Sequence, residues 1–329
     1  MYRLILSLLL YSASLGIAAE SDELPLDLNH SEEITALDLG SSLQQPAFSE
    51  QLELPIPAFD LPRKSSFLAV SLSYLLPGLG HMYLGDINTA GSLMGSTGLS
   101  LSLALPGTGA SIQLPGIITL QSVWSYGIYA AYRDVRIYNR GTGYSYKMPT
   151  DSFADLTFAP FRLSILKKPE VWGGFLGALA IATGTAYLAY PKDAHIRHNL
   201  SFKNDLFPLV ALPVGIGEES FFRGFLQSQL SETFTPWGGI ALSSLAFGAM
   251  HIPNAIALEP QHRWRYYTFS LPLITTFGAY FGWLTYKNHS LQESTALHTW
   301  YDFVLFAASA LATHAAAIDR SGFAIAVPF

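Results

Sequence analysis

The sequence predicts an all-α fold, a polytopic transmembrane helical bundle of about eight apolar segments after an N-terminal signal peptide. Three observations predict it. Half of the 329 residues are hydrophobic and only 13% are charged, against about 25% charged in ordinary soluble domains. Mean hydropathy is positive, at +0.29. Apolar segments recur near 67–84, 88–106, 114–132, 171–190, 206–229, 236–258, 266–286 and 292–318, most reaching the roughly 20 residues that span a hydrocarbon core. One or two buried helices of a soluble protein imitate such a pattern; eight do not.

Residues 1–19 form a separate element. Arg3 is a one-charge leader, Leu4 to Leu10 a short apolar core, and Gly16-Ile17-Ala18-Ala19 supplies small residues for cleavage, the pattern of a signal peptide. An uncleaved anchor is the alternative. No cysteine is present, which excludes a lipoprotein anchor, disulfides and a thiol nucleophile. The next stretch, 20–63, is expected to be an acidic disordered tail. Residues 20–62 hold ten acidic side chains, no Lys or Arg, and five scattered prolines, a composition that cannot bury enough apolar surface to order itself. The net charge of −6 therefore misleads, because removing those ten acids leaves 14 acidic against 18 basic residues. Nothing in this balance points to nucleic acid.

Residues 64–132 read as an N-terminal membrane-helix module. Leu76-Pro77-Gly78-Leu79-Gly80-His81-Met82-Tyr83-Leu84-Gly85-Asp86 is similar to the turn of small two-helix membrane modules found in many bacterial proteins, with glycines that allow close packing and tight re-entry. His81 reads there as an interfacial residue and not a ligand. The loop 133–170 follows with Arg133, Arg136, Arg140, Lys147, Arg162, Lys167 and Lys168, seven of the 18 positive charges. Placing it in the cytoplasm puts the acidic tail outside, reached through three spans. The segment 171–318 carries the chemistry, and 319–329 is a short C-terminal tail.

Within 206–229, Glu218, Glu219 and Arg223 sit in an otherwise apolar run. An ionised side chain at mid-bilayer costs about 2.5–3.5 kcal/mol even on lenient scales, so three of them require partners and a purpose. Positions four apart share a helix face. Glu219 and Arg223 can thus form an internal ion pair, while Glu218 points elsewhere without that partner, free to take and return a proton. His251 closes Phe247-Gly248-Ala249-Met250-His251, where small residues allow another helix to approach. His298 and Asp302 are again four apart, so the aspartate can orient the imidazole, or both can address one water or metal. The bland reading is that these groups only cross-link helices. His195, His198, His262 and His289 fall in loops, and His314 belongs to no pattern.

Three motifs in this order, Glu218-Glu219-x-x-x-Arg223, Phe247-x-x-x-His251 and His298-x-x-x-Asp302, resemble the CPBP family of type II CAAX prenyl endopeptidases and bacteriocin-processing or immunity-related proteins. The likeness covers roughly 171–318. It implies an intramembrane protease fold in a multi-pass protein of the bacterial inner membrane, acting on a membrane-associated peptide or protein. In the family's eukaryotic CAAX proteases the first glutamate and second-motif histidine are proposed to activate water, and the third-motif histidine and asparagine to form the oxyanion site. Carried over, Glu218 and His251 polarise the water, His298 and position 302 face the developing charge, and Glu219 and Arg223 give structural support. Asp302 departs from that pattern, because an amide can donate to an oxyanion and an ionised carboxylate repels it. The departure raises a second mechanism. Glu218, His251, His298 and Asp302 are all acceptable zinc ligands, so a metalloprotease stands beside a metal-free enzyme. A non-catalytic immunity or scaffold protein that keeps the same bundle is the alternative from another class.

Overall fold

The computed structural model describes residues 62–189, 207–258 and 260–318, and every element among them is helical. The expected signal peptide 1–19, the acidic tail up to Leu61, the tail 319–329, and His195 and His198 lie outside these residues, and so does the side chain of His314.

Helix α1 (Ser66–Leu75) opens on Ser65, whose side chain accepts the Leu68 N–H. It stops at Leu76-Pro77-Gly78 because Pro77 has no N–H to continue the ladder and Gly78 takes a left-handed φ of 100°. Helix α2 (Leu79–Leu84) returns, so that the Lys64 ammonium donates to the Tyr83 carbonyl and the Ser65 N–H to the Tyr83 hydroxyl. The apolar segment 67–84 is therefore two helices of ten and six residues, and neither has the roughly 20 residues of a span.

Helix α3 (Ile87–Ala104) and helix α4 (Ala110–Tyr138) follow as a packed pair. The end of α4 comes back to the start of α1. The Lys64 N–H donates to Asn139 Oδ1 at 3.0 Å, Asn139 Nδ2 donates to the Lys64 carbonyl at 2.8 Å, and Arg63 donates to the Thr142 carbonyl. Two long helices, and not three, thus separate the start of the helical body from the basic loop, and both ends of that path touch. The doubling back at Pro77-Gly78 is the cause of this contact.

The loop carries α5 (Phe153–Phe158), with a reciprocal Ser152/Asp155 capping box, and α6 (Leu163–Leu166). Then come α7 (Pro169–Ala189), α8 (Ala211–Glu218), a π-helix over Glu219–Leu226, α9 (Gln227–Thr233) and α10 (Pro236–Met250). A 3-10 stretch (Ile252–Ala257), a second π-helix (Tyr266–Ser270), α11 (Leu271–Asn288) and α12 (Gln292–Ile318) complete the order. Helix α11 packs on α10 and α12, where Phe281, Leu284, Ala296 and Leu297 form a buried cluster with Ile165 and Val171.

Beside a largely apolar core, two helices turn leucines outward and hydroxyls inward. On α3, Leu99 and Leu101 are exposed while Thr97 and Ser100 are buried; on α10, Leu242 and Leu245 are exposed while Ser243 and Ser244 are buried. Small polar residues inside and leucines outside suit a lipid environment, where close backbone approach and not hydrophobic burial joins helices. Among the described residues one helical stretch, Pro236–Ile256, is long and apolar enough by itself to cross a membrane. His81 is fully buried, and its Nε2 lies 3.1 Å from Asp134.

Candidate active site

The site is built where α8 passes into the π-helix. All eight residues Glu219–Leu226 are buried. A π segment widens the helix and re-aims side chains, and such segments occur frequently at functional sites. Glu219 and Arg223 still meet, with Nη1 donating to Oε1 at 3.0 Å and neither side chain exposed. Arg223 Nη2 also donates to the Gly278 carbonyl at 3.2 Å, and the guanidinium lies 4.2 Å from the Phe247 ring centre. A buried guanidinium is tolerable only with such partners.

The adjacent glutamates occupy different surroundings. Glu219 is entirely buried, whereas the Glu218 side chain keeps 28% of its exposure. Glu219 Oε1 accepts a second hydrogen bond, from His298 Nδ1 at 2.8 Å. That bond turns the other ring nitrogen toward Asp302 Oδ2 at 3.4 Å and Glu218 Oε2 at 3.8 Å. Nε2 therefore lies within reach of Asp302 and faces Glu218 across a wider gap. Phe281 stacks on the imidazole, with centres 5.0 Å apart and planes 25° apart, fixing the ring from its flat side.

His251 ends α10. Its Nδ1 donates to the Phe247 carbonyl at 2.8 Å, since a carbonyl only accepts, and in the neutral ring this leaves the lone pair on Nε2. Phe247 lies between the two imidazoles, 4.7 Å from His251 and 6.1 Å from His298. Gly248 allows α11 to approach, since a Cβ there would come 2.0 Å from Thr275 Oγ1. Glu218 interacts electrostatically with His251, His298 and Asp302 together. The six residues singled out in the sequence thus gather in one region. Among the described residues, however, no group of three or more His, Asp or Glu side chains is disposed to hold a metal ion.

Residues 205–304 match the family model described as type II CAAX prenyl endopeptidase Rce1-like. The match supports a CAAX/CPBP intramembrane protease family for this segment. The CAAX-protease segment is under a third of the chain, yet it contains every residue of the site from Glu218 to Asp302. Comparison with curated proteins and with solved structures gave no match. Two residues of the site were not anticipated. Gln227 prolongs the polar row Glu219, Arg223 and donates to the Gly282 carbonyl at 3.0 Å, which its spacing of four could have revealed. Phe281 sits 17 residues before His298 on another helix, and no sequence pattern links them.

Proposed function

We propose that this chain is an intramembrane endopeptidase that hydrolyses a peptide bond of a membrane-associated substrate through water activated by Glu218. The carrying observation is the unlike state of two neighbours. Glu219 is buried and committed to Arg223 and His298, whereas Glu218 is partly open and faces His298. The 3.8 Å between Glu218 Oε2 and His298 Nε2 exceeds a direct hydrogen bond and lets one water touch both groups.

In this reading Glu218 removes a proton from water as its oxygen attacks the scissile carbonyl carbon. The His251 Nε2 lone pair offers the water a second acceptor. The carbonyl oxygen, now negative, is met by the proton held between His298 and Asp302. Glu218 then returns its proton to the departing amine as the C–N bond breaks, giving a carboxyl and an amine product. Glu219 and Arg223 hold His298 and do not touch the substrate.

Leucines outside and hydroxyls inside support a multi-pass protein in a lipid bilayer, with 64–132 as an N-terminal module and 171–318 as the protease domain. We place it in a bacterial inner membrane on the family resemblance. The substrate class is a membrane-associated peptide or protein; the family's name does not extend to a prenyl group on the substrate of this chain. The test is incubation of the purified protein in detergent with a panel of lipidated and unlipidated transmembrane peptides, followed by mass spectrometry. A new peptide terminus from at least one is expected. Intact peptides throughout, with the protein folded, contradict the proposal and favour the immunity or scaffold reading.

A further inference from the structure

Asp151 lies in the basic loop, outside the matched segment 205–304, and is buried. Its carboxylate is spent on the start of α12. Oδ2 accepts the Leu291 N–H at 2.7 Å, and Oδ1 accepts from Ser290 Oγ at 3.0 Å and Gln292 Nε2 at 2.8 Å. The first N–H groups of a helix have no partner within it, and a negative charge there is favoured by the helix dipole. Asp151 supplies both to the helix that carries His298 and Asp302.

The residue is also tied to the other half of the site. Its carbonyl accepts from the Tyr129 hydroxyl at 3.2 Å and from Arg133 Nη1 at 2.6 Å. The Tyr129 ring rests on Gly224 of the π-helix, where a Cβ would come 2.4 Å from Cδ2. Tyr129 is fully buried, so the ring cannot shift into open space. From Leu291 to His298 is seven residues, two helical turns and about 10.5 Å of rise, which returns His298 to the face of α12 that Asp151 holds.

We propose that Asp151 is a positioning residue, which sets the depth and rotation of α12 and so the fit of His298 between Glu219, Asp302 and Glu218. This rests on the endopeptidase reading for its effect on rate, but not for its effect on geometry. A side chain that merely stabilised the fold would lower the melting temperature without altering the surroundings of one imidazole.

The test compares the full-length parent with Asp151→Asn, and with Ser290→Ala, which keeps the carboxylate and removes one donor. Two readouts are taken in detergent: histidine-selective 15N NMR, with His298 assigned through His298→Gln, and steady-state cleavage of a transmembrane peptide. The His298 Nδ1 resonance is expected to move in Asp151→Asn and less in Ser290→Ala, with the His251 signals unchanged. Cleavage is expected to lose 10-fold or more in kcat with KM within twofold. A His298 resonance unchanged in both folded variants overturns the proposal, whatever the activity. If Asp151→Asn fails to fold, a movement in Ser290→Ala supports the proposal and its absence contradicts it. If the parent cleaves nothing but the resonance moves as expected, positioning stands and the endopeptidase reading falls.

Discussion

Glu219 and His298, 79 residues apart, share a hydrogen bond of 2.8 Å from Nδ1 to Oε1, and the same oxygen accepts from Arg223 at 3.0 Å. One carboxylate oxygen thus serves both the ion pair within the π-helix and the imidazole from α12. Removing either charge of the pair leaves the other buried without compensation, a cost of about 3–5 kcal/mol. Glu219→Ala and Arg223→Ala are each expected to accumulate poorly and unfold early in detergent, and the double variant to be less damaged than the sum. A double-mutant cycle checks this. Effects that add within about 0.5 kcal/mol contradict a direct pairing.

Asp302 decides whether the third motif works as a carboxylate. Its Oδ2 is 3.4 Å from His298 Nε2, close enough to hold the imidazole's charge and orientation. Asp302→Asn is expected to lower the cleavage rate by about 100-fold, the order of loss when one group that stabilises a developing oxyanion is removed. Rates as a function of pH for parent and variant, with metal content measured alongside, make the check. An asparagine variant as active as the parent contradicts the orienting role and supports an oxyanion donor at this position.

Much of the site was legible because its residues are chemically out of place. Glu218, Glu219, Arg223 and Asp302 stand in apolar runs, and a spacing of four puts pairs on one helix face. Two features were not legible. The hydrogen bond from His298 to Glu219 joins helices whose relative rotation no local pattern encodes. The π-helix at Glu219–Leu226 packs against α4, and no local pattern in the run announces it. The break inside 67–84 was legible at Pro77-Gly78, where a missing N–H and a left-handed residue end a helix whatever surrounds it.

The contacts of Arg63 and Lys64 with Asn139 and Thr142 predict sidedness. The chain has no cysteine, so single cysteines report cleanly. Arg63→Cys and Lys147→Cys are expected to react with a membrane-impermeant maleimide from the same face of sealed vesicles. Pro106→Cys, between α3 and α4, is expected to react from the other face. Opposite labelling of Arg63→Cys and Lys147→Cys contradicts the fold of the N-terminal module.

Asp155 gives a prediction in acid. Hydrogen bonds from Ser152, then from Arg162, hold its carboxyl below the usual carboxylate range. A depressed pKa contributes stability that is present above the unfolded value, about 3.9, and is lost as pH falls through the folded one. Asp155→Asn is therefore expected to lower the thermal midpoint at pH 7 and to differ little from the parent well below pH 4. Thermal scans across that range check it, and a gap that stays constant into acid contradicts the assignment.

The central claim is that Glu218, and not Glu219, takes the proton from the attacking water. Its most direct measurement is cleavage of a transmembrane peptide in H2 18O by the parent and by Glu218→Ala, both confirmed folded in detergent by their thermal transitions. The parent is expected to place one 18O in the new carboxyl group, and Glu218→Ala to form no product above the uncatalysed background while retaining the parent's helical content. Continued hydrolysis by a folded Glu218→Ala, with 18O still incorporated, contradicts the account.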